Sequence, residues 1–227
     1  MTEESRIRHS QAESAVVETD GLERAKKEAA NGLRQAERVR EYTLGVLDGR
    51  PFRLRTSTIL DLNRCAIDGL DAYAGNFRPG AVVINKSEHQ PPEAFRVPAL
   101  VDDLCDYVND NWDTANAVHL ASMVMWRLNW IHPFTDGNGR TSRATSYLVL
   151  CAHSQVLLAG NETIPEQIVA KRSPYYEALE SADRTYQDEG MLTRNTVLAM
   201  EELMKAMLAK QLRSAFDTAS GERGLAE

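Results

Sequence analysis

His132-Pro133-Phe134-Thr135-Asp136-Gly137-Asn138-Gly139-Arg140-Thr141-Ser142-Arg143 joins two apolar, helix-like runs, Ala115 to Ile131 before it and Thr141 to Leu158 after it. The pattern predicts a helix–loop–helix with a histidine, a carboxylate, two glycines and two arginines on one turn. Gly137 and Gly139 allow a tight backbone turn and close approach to a ligand. The helix that follows points its free N–H groups and positive dipole end at the loop, which makes an anion site. Arg140 and Arg143, three apart, share one face of its first turn and suit phosphate oxygens through planar, bidentate contacts. Asp136 offers an oxygen ligand for Mg²⁺, an ion commonly held by one carboxylate plus substrate phosphates and waters. His132 is the group whose ordinary pKa suits proton transfer near neutrality. Together these residues point to nucleotide-phosphate chemistry with a histidine base.

HPFTDGNGRTSR resembles the signature of Fic-domain proteins, HPFx(D/E)GNGRxxR, at every specified position, and the resemblance extends from about Ser14 to about Met207. It implies an all-α Fic fold, a helical bundle with a small β-hairpin flap. It also implies a protein adenylyltransferase, which moves AMP from ATP to a hydroxyl of a target protein with Mg²⁺ present. In that reading His132 is the base and Asp136 the metal ligand. Gly137, Asn138 and Gly139 line the phosphate loop, and Arg140 and Arg143 hold the β and γ phosphates. Phe134 and Pro133 fix the loop. Relatives often carry a histidine seven residues before the catalytic one, where this chain has Met125.

The rest of the chain reads as helices with one exception. Phe77 to Asn85 contains Ala81-Val82-Val83-Ile84, short and β-branched between Gly80 and Asn85, and is expected to form a small hairpin. By resemblance, this is the flap that binds an extended target segment through strand addition, with Val82, Val83 and Ile84 at the contact. Tyr175 and Tyr176 lie in a stretch where Fic proteins place aromatic rings near adenine. Ser14 and Glu18 fit the start of the (S/T)xxxE(G/N) inhibitory helix of many relatives, although Thr19 follows in place of Gly or Asn. A glutamate there would pair with Arg143. The full match Thr185 to Gly190 falls past the motif, inside the expected core, and is read as chance.

The expected organisation is an N-terminal segment over 1–19 bearing the candidate inhibitory helix, a Fic domain over 20–214 and a tail over 215–227. Helix boundaries follow the punctuation: Asp20 as a cap, Thr114 as the cap before the motif helix, Pro165 and Pro174 at first turns, Gly190 as a stop. Of 227 residues 43% are hydrophobic, enough for one substantial core. A net charge of −7 argues against nonspecific nucleic-acid binding. Cys65, Cys105 and Cys151, odd in number and each in an apolar pattern, read as reduced core thiols of a cytoplasmic protein. No apolar leader and no membrane-length apolar run are visible, and a homo-oligomer is left open. His9, His89, His119 and His153 have no metal-like spacing and read as structural or surface groups.

Rival readings keep the fold and change the chemistry. Doc-like relatives phosphorylate a protein and carry a lysine where Gly139 stands; others transfer different nucleotides or phosphocholine, or remove AMP. A non-catalytic interaction module is the reading least compatible with His132, Asp136, Asn138, Arg140 and Arg143 all being present.

Overall fold

The computed structural model describes residues 10–11, 16–17, 20–158 and 162–220. Eight α-helices carry the fold among them: α1 Gly21–Leu47, α2 Thr56–Ile67, α3 Val97–Asp110, α4 Ala117–Ile131, α5 Asn138–Ser154, α6 Ile164–Ala170, α7 Ser173–Glu189 and α8 Leu198–Ala219. Two short strands, β1 Ser10–Gln11 and β2 Val83–Ile84, pair antiparallel. The all-α expectation holds.

The central pair is α4 and α5. Every residue from His119 to Leu128 is buried, so α4 is covered on all its faces, as expected of a helix apolar all round. Its ten-residue buried run packs with α3, α7 and α8, the cluster including Leu120, Val124, Trp126, Val101, Ala182 and Met204. On the other side α1 crosses α2 and α5. Gln35 donates to the Leu62 carbonyl at 2.9 Å and Asn31 to that of Asp68 at 2.9 Å, so α1 is tied to the backbone of α2 and of the residue just beyond it. Pro98, Pro165 and Pro174 sit in first turns, where the missing N–H costs nothing.

Several local expectations shift. Asn116, not Thr114, caps α4, accepting from the His119 N–H at 2.9 Å. The helix after the motif begins at Asn138, so the loop itself is shorter than expected. The last helix runs beyond Ser214 to Ala219. The β-branched stretch does form a strand, but its partner is distant in sequence: Ser10 faces Ile84 and Gln11 faces Val83, so β2 is not paired within a local hairpin. After β2, a turn closes from the Ser87 N–H to the Ile84 carbonyl with Lys86 left-handed. Val16 forms a single antiparallel bridge to Asp71, which is extended and not helical backbone. Ser14 and Glu18 lie outside the described residues. All three cysteines are free and buried, and burial pushes each thiol pKa up, Cys105 and Cys151 to about 11.

Candidate functional site

His132 ends α4 in the left-handed region, φ +51°, with its N–H still donating to the Leu128 carbonyl at 3.0 Å. That twist turns the chain out of the helix axis and into Pro133, which cannot continue the helix. The imidazole is only 6% exposed. Burial pushes its pKa down to about 4; the neighbouring His89 and Arg78 charges act the same way, while the Asn129 carbonyl and Asp136 oppose them. His132 is therefore neutral at pH 7. Its Nδ1 lies 3.3 Å from the Asn129 carbonyl oxygen. A carbonyl can only accept, so Nδ1 carries the proton and Nε2 the lone pair.

The loop is clamped from within. Asn138 accepts from the Phe134 N–H at 2.9 Å and donates to the Phe134 carbonyl at 2.8 Å. Both ends of its amide thereby hold loop backbone, so the Asn138 side chain shapes the loop. Phe134 is a buried anchor, as expected, against Phe77. Gly137 has φ +77°, and a Cβ there would meet Ile67 Cγ2 at 2.7 Å and Asn63 Nδ2 at 3.1 Å. Only glycine fits, both for the backbone angle and because α2 presses on the loop. At Gly139 a Cβ would stand 3.1 Å from an Arg143 guanidinium nitrogen, so a side chain there would crowd the arginine.

Charge is concentrated at the start of α5. Asp136 accepts from the Gly137 N–H at 2.6 Å, from Arg140 at 3.1 Å and from Arg24 of α1 at 3.3 Å. Arg143 is partly buried, and desolvation lowers its pKa, with Arg172 and Arg140 adding repulsion. Among the described residues no carboxylate lies within ion-pair distance of it. A partly desolvated guanidinium beside a helix N-terminus suits an anion, whether a carboxylate or a phosphate.

Four supporting residues escaped the sequence reading. Asn63 of α2 is fully buried and donates to the Asp136 carbonyl at 3.1 Å while accepting from the Gly75 N–H at 3.0 Å. Asn129 of α4 donates to Ser142 and to the Tyr175 hydroxyl, each at 2.8 Å. Arg78, 3% exposed, donates to the His132 carbonyl at 2.8 Å, to that of Gly80 at 2.7 Å and also to that of Pro92. It thus joins the motif-loop backbone to the chain on both sides of β2. Arg24 is the fourth. No periodicity distinguishes these polar residues from solvent-facing ones; the Asn-Phe-Arg run before the flap was the only hint for Arg78.

The other expected site residues divide. Val83 is exposed and Ile84 buried, the alternation a strand imposes. Val82 is also buried. Tyr175 is 3% exposed, with its hydroxyl bonded to Asn129, and its ring lies 5.7 Å from that of the half-buried Tyr176. Glu189 is exposed at the end of α7 and accepts from the Thr193 hydroxyl, away from Arg143, in keeping with the chance reading of that second match. His119 is buried in a network, bonded to Glu201 at 2.7 Å and Tyr107 at 2.8 Å, and His153 holds the Trp112 carbonyl at 2.9 Å. Among the described residues no group of three or more His, Cys, Asp and Glu could hold a metal. A metal here would depend on Asp136 and on ligands from a substrate.

Residues 53–150 match the model of the Fic/DOC family, spanning β2 and the whole motif. Over that segment the chain is similar to Fic/DOC-family domains. Proteins named protein adenylyltransferase Fic from Drosophila willistoni and Drosophila melanogaster are each 33% identical to it over 129 residues. Those residues are 55% of this chain and 24% of each relative, so the match spans about a quarter of the curated proteins. A Fic domain containing signaling protein from Bacteroides thetaiotaomicron superposes with a TM-score of 0.69 at 25% identity, covering 86% of this chain and 74% of the other. Fic-1 from C. elegans gives 0.62 at 22% identity, covering 91% and 56%, a likeness of fold. Among the described residues no helix is long and apolar enough to cross a membrane.

Proposed function

We propose that this protein is a transferase that moves AMP from ATP to a hydroxyl group of a target protein. The observation that carries the reading is a neutral, buried His132 at the head of a loop whose far end holds the partly buried Arg143 cation. ATP would lie with its phosphates on the N–H groups that open α5 and its β and γ phosphates toward Arg140 and Arg143. The acceptor oxygen attacks the α-phosphorus, the bond from that phosphorus to the bridging oxygen breaks, and pyrophosphate leaves. His132 Nε2 takes the hydroxyl proton as the new P–O bond forms. Fixed N–H donors around the loop need no reorganisation as charge develops on the α-phosphate.

Asp136 suits Mg²⁺ as a single carboxylate beside the phosphate position, with 36% of its side chain exposed. When bound, the ion would neutralise phosphate charge, and the remaining ligands would come from phosphates and water. The target would present an extended segment to the flap, and Val83, whose side chain is exposed, would meet it. Gly139 favours AMP transfer over phosphorylation, since bulk at this position would displace the Arg143 head that anchors the terminal phosphates.

The test is incubation with candidate acceptor proteins and ATP labelled at either the α or the γ position, with His132→Ala alongside. Label from the α position alone, lost in a folded His132→Ala protein, is the expected result. Label from the γ position would assign phosphorylation instead. Transfer at the wild-type rate by His132→Ala would overturn the mechanism.

A further inference from the structure

The flap strand is the element that would receive a target, yet it is already paired. β1 lies antiparallel on β2, Ser10 facing Ile84 and Gln11 facing Val83. A second contact follows in the same segment: Val16 bridges Asp71, and the Val17 N–H donates to the Leu70 carbonyl at 3.1 Å. Asp71 in turn accepts from the hydroxyl of Thr135, within the motif loop, at 2.9 Å. Only five residue steps separate Gln11 from Val16, at most about 18 Å of chain. Residues 10–11 thus lie against β2 and residues 16–17 against Leu70–Asp71, and Arg24 in the first turns of α1 reaches Asp136.

We infer that the β2 edge together with the Leu70–Asp71 backbone is a docking track for an extended peptide, and that this chain's own N-terminal segment occupies it. The inference rests on reading the flap as the target-holding element. The contacts themselves are main-chain contacts. Val16 and Val17 are 52% and 61% exposed and Val83 is 63% exposed, so the pairing buries little side chain at these positions. Strand addition of this kind is sequence-tolerant, and any extended segment with free N–H and C=O groups can take the same edge. The resident segment prevails because it is tethered: a short linker gives an effective concentration in the millimolar range. A free peptide at micromolar concentration competes poorly against it. A target must therefore either be held by further contacts or arrive when the N-terminal segment has been drawn away.

The experiment uses the full chain without nucleotide. A fluorescein-labelled synthetic peptide of residues 6–19 is titrated into wild type, into the double variant Ser10→Pro with Gln11→Pro, and into Val17→Pro. The first variant removes two N–H donors from β1 and the second removes the donor to Leu70; neither touches the track, and helix content by circular dichroism reports that the bundle is intact. Anisotropy should give at least tenfold tighter peptide binding to the double variant than to wild type, with an intermediate gain for Val17→Pro. Amide exchange at whichever of Val83 and Ile84 points its N–H toward β1 should be faster in the double variant and slow again when peptide is added. Equal peptide binding by folded wild type and double variant, or unchanged exchange at that amide, would overturn the inference. Because no ATP is present, that outcome would leave AMP transfer standing, and absence of transfer would leave a positive peptide result standing.

Discussion

Burial should carry the titration of His132 far into the acid range, and this can be read both as chemistry and as stability. The ring's pKa is pushed down to about 4 from an ordinary value of 6.5, first by desolvation and then by the His89 and Arg78 charges. At 1.36 kcal/mol per pKa unit the folded protein disfavours the charged ring by about 3 kcal/mol. The folded pKa lies below the unfolded one, so the associated stability is complete above pH 6.5 and is lost as pH falls toward 4. Between pH 7.5 and pH 5 the wild type should lose about 2 kcal/mol more than His132→Asn, which has nothing to titrate. Urea midpoints at the two pH values, converted with a common slope, measure that difference. For transfer, a base with pKa about 4 is still about 97% neutral at pH 5.5, whereas an ordinary histidine would be about 9% neutral. The acid limb of kcat/KM, which reports the free enzyme, should thus be nearly flat from pH 7.5 to 5.5 and not fall tenfold. Nitrogen-15 shifts of the ring give the pKa directly and identify Nδ1 as the protonated nitrogen. A measured value at 6 or above would refute the reasoning, since it would mean that water reaches the ring.

Two further predictions concern the loop. Asp136→Ala should weaken Mg²⁺-dependent ATP binding in calorimetry, whereas Arg24→Ala, which frees the carboxylate of one guanidinium, should tighten it; the pair is about one-third exposed on each side, so the gain should stay below about 1 kcal/mol, or under about fivefold. Gly137→Ala places a methyl 2.7 Å from Ile67 at φ +77°. Left-handed strain of about 1–2 kcal/mol and overpacking of about 1–3 kcal/mol should together lower the thermal midpoint by several degrees, and an unchanged midpoint would mean that α2 gives way freely.

What the sequence made legible was what one local pattern encodes. The motif between two apolar runs gave the α4–loop–α5 core, because apolar residues on all faces of one run demand a central helix. Prolines marked three helix starts because ring geometry favours that position whatever the surroundings. Partners chosen across space were not legible. Asn63, Arg78 and Asn129 look like any polar residue within or between helices, and their roles appear only when α2, the flap approach and α4 converge on one loop. The partner of β2 was hidden for a different reason. Main-chain pairing places few demands on side chains, so Ser10–Gln11, short and polar, carries no strand signal.

The segment matched by the family model is not where the site ends. Within 53–150 lie His132, Asp136, the glycines and both motif arginines, but the groups that set their geometry come from both flanks. Arg24 of α1 meets Asp136, and α1 also satisfies backbone carbonyls of α2 and of the residue just beyond it, at Leu62 and Asp68, which lie near the turn that brings Asn63 and Asp71 to the loop. On the other flank the Tyr175 hydroxyl of α7 accepts from Asn129, whose own carbonyl holds His132 Nδ1. A shift of α1 would therefore be felt directly at the carboxylate of Asp136, and a shift of α7 at the Asn129 side chain. His132 and Asp136 stand on one short loop, but the groups packed around them come from α1, α2, α4 and α7, and the loop sequence alone does not specify those partners.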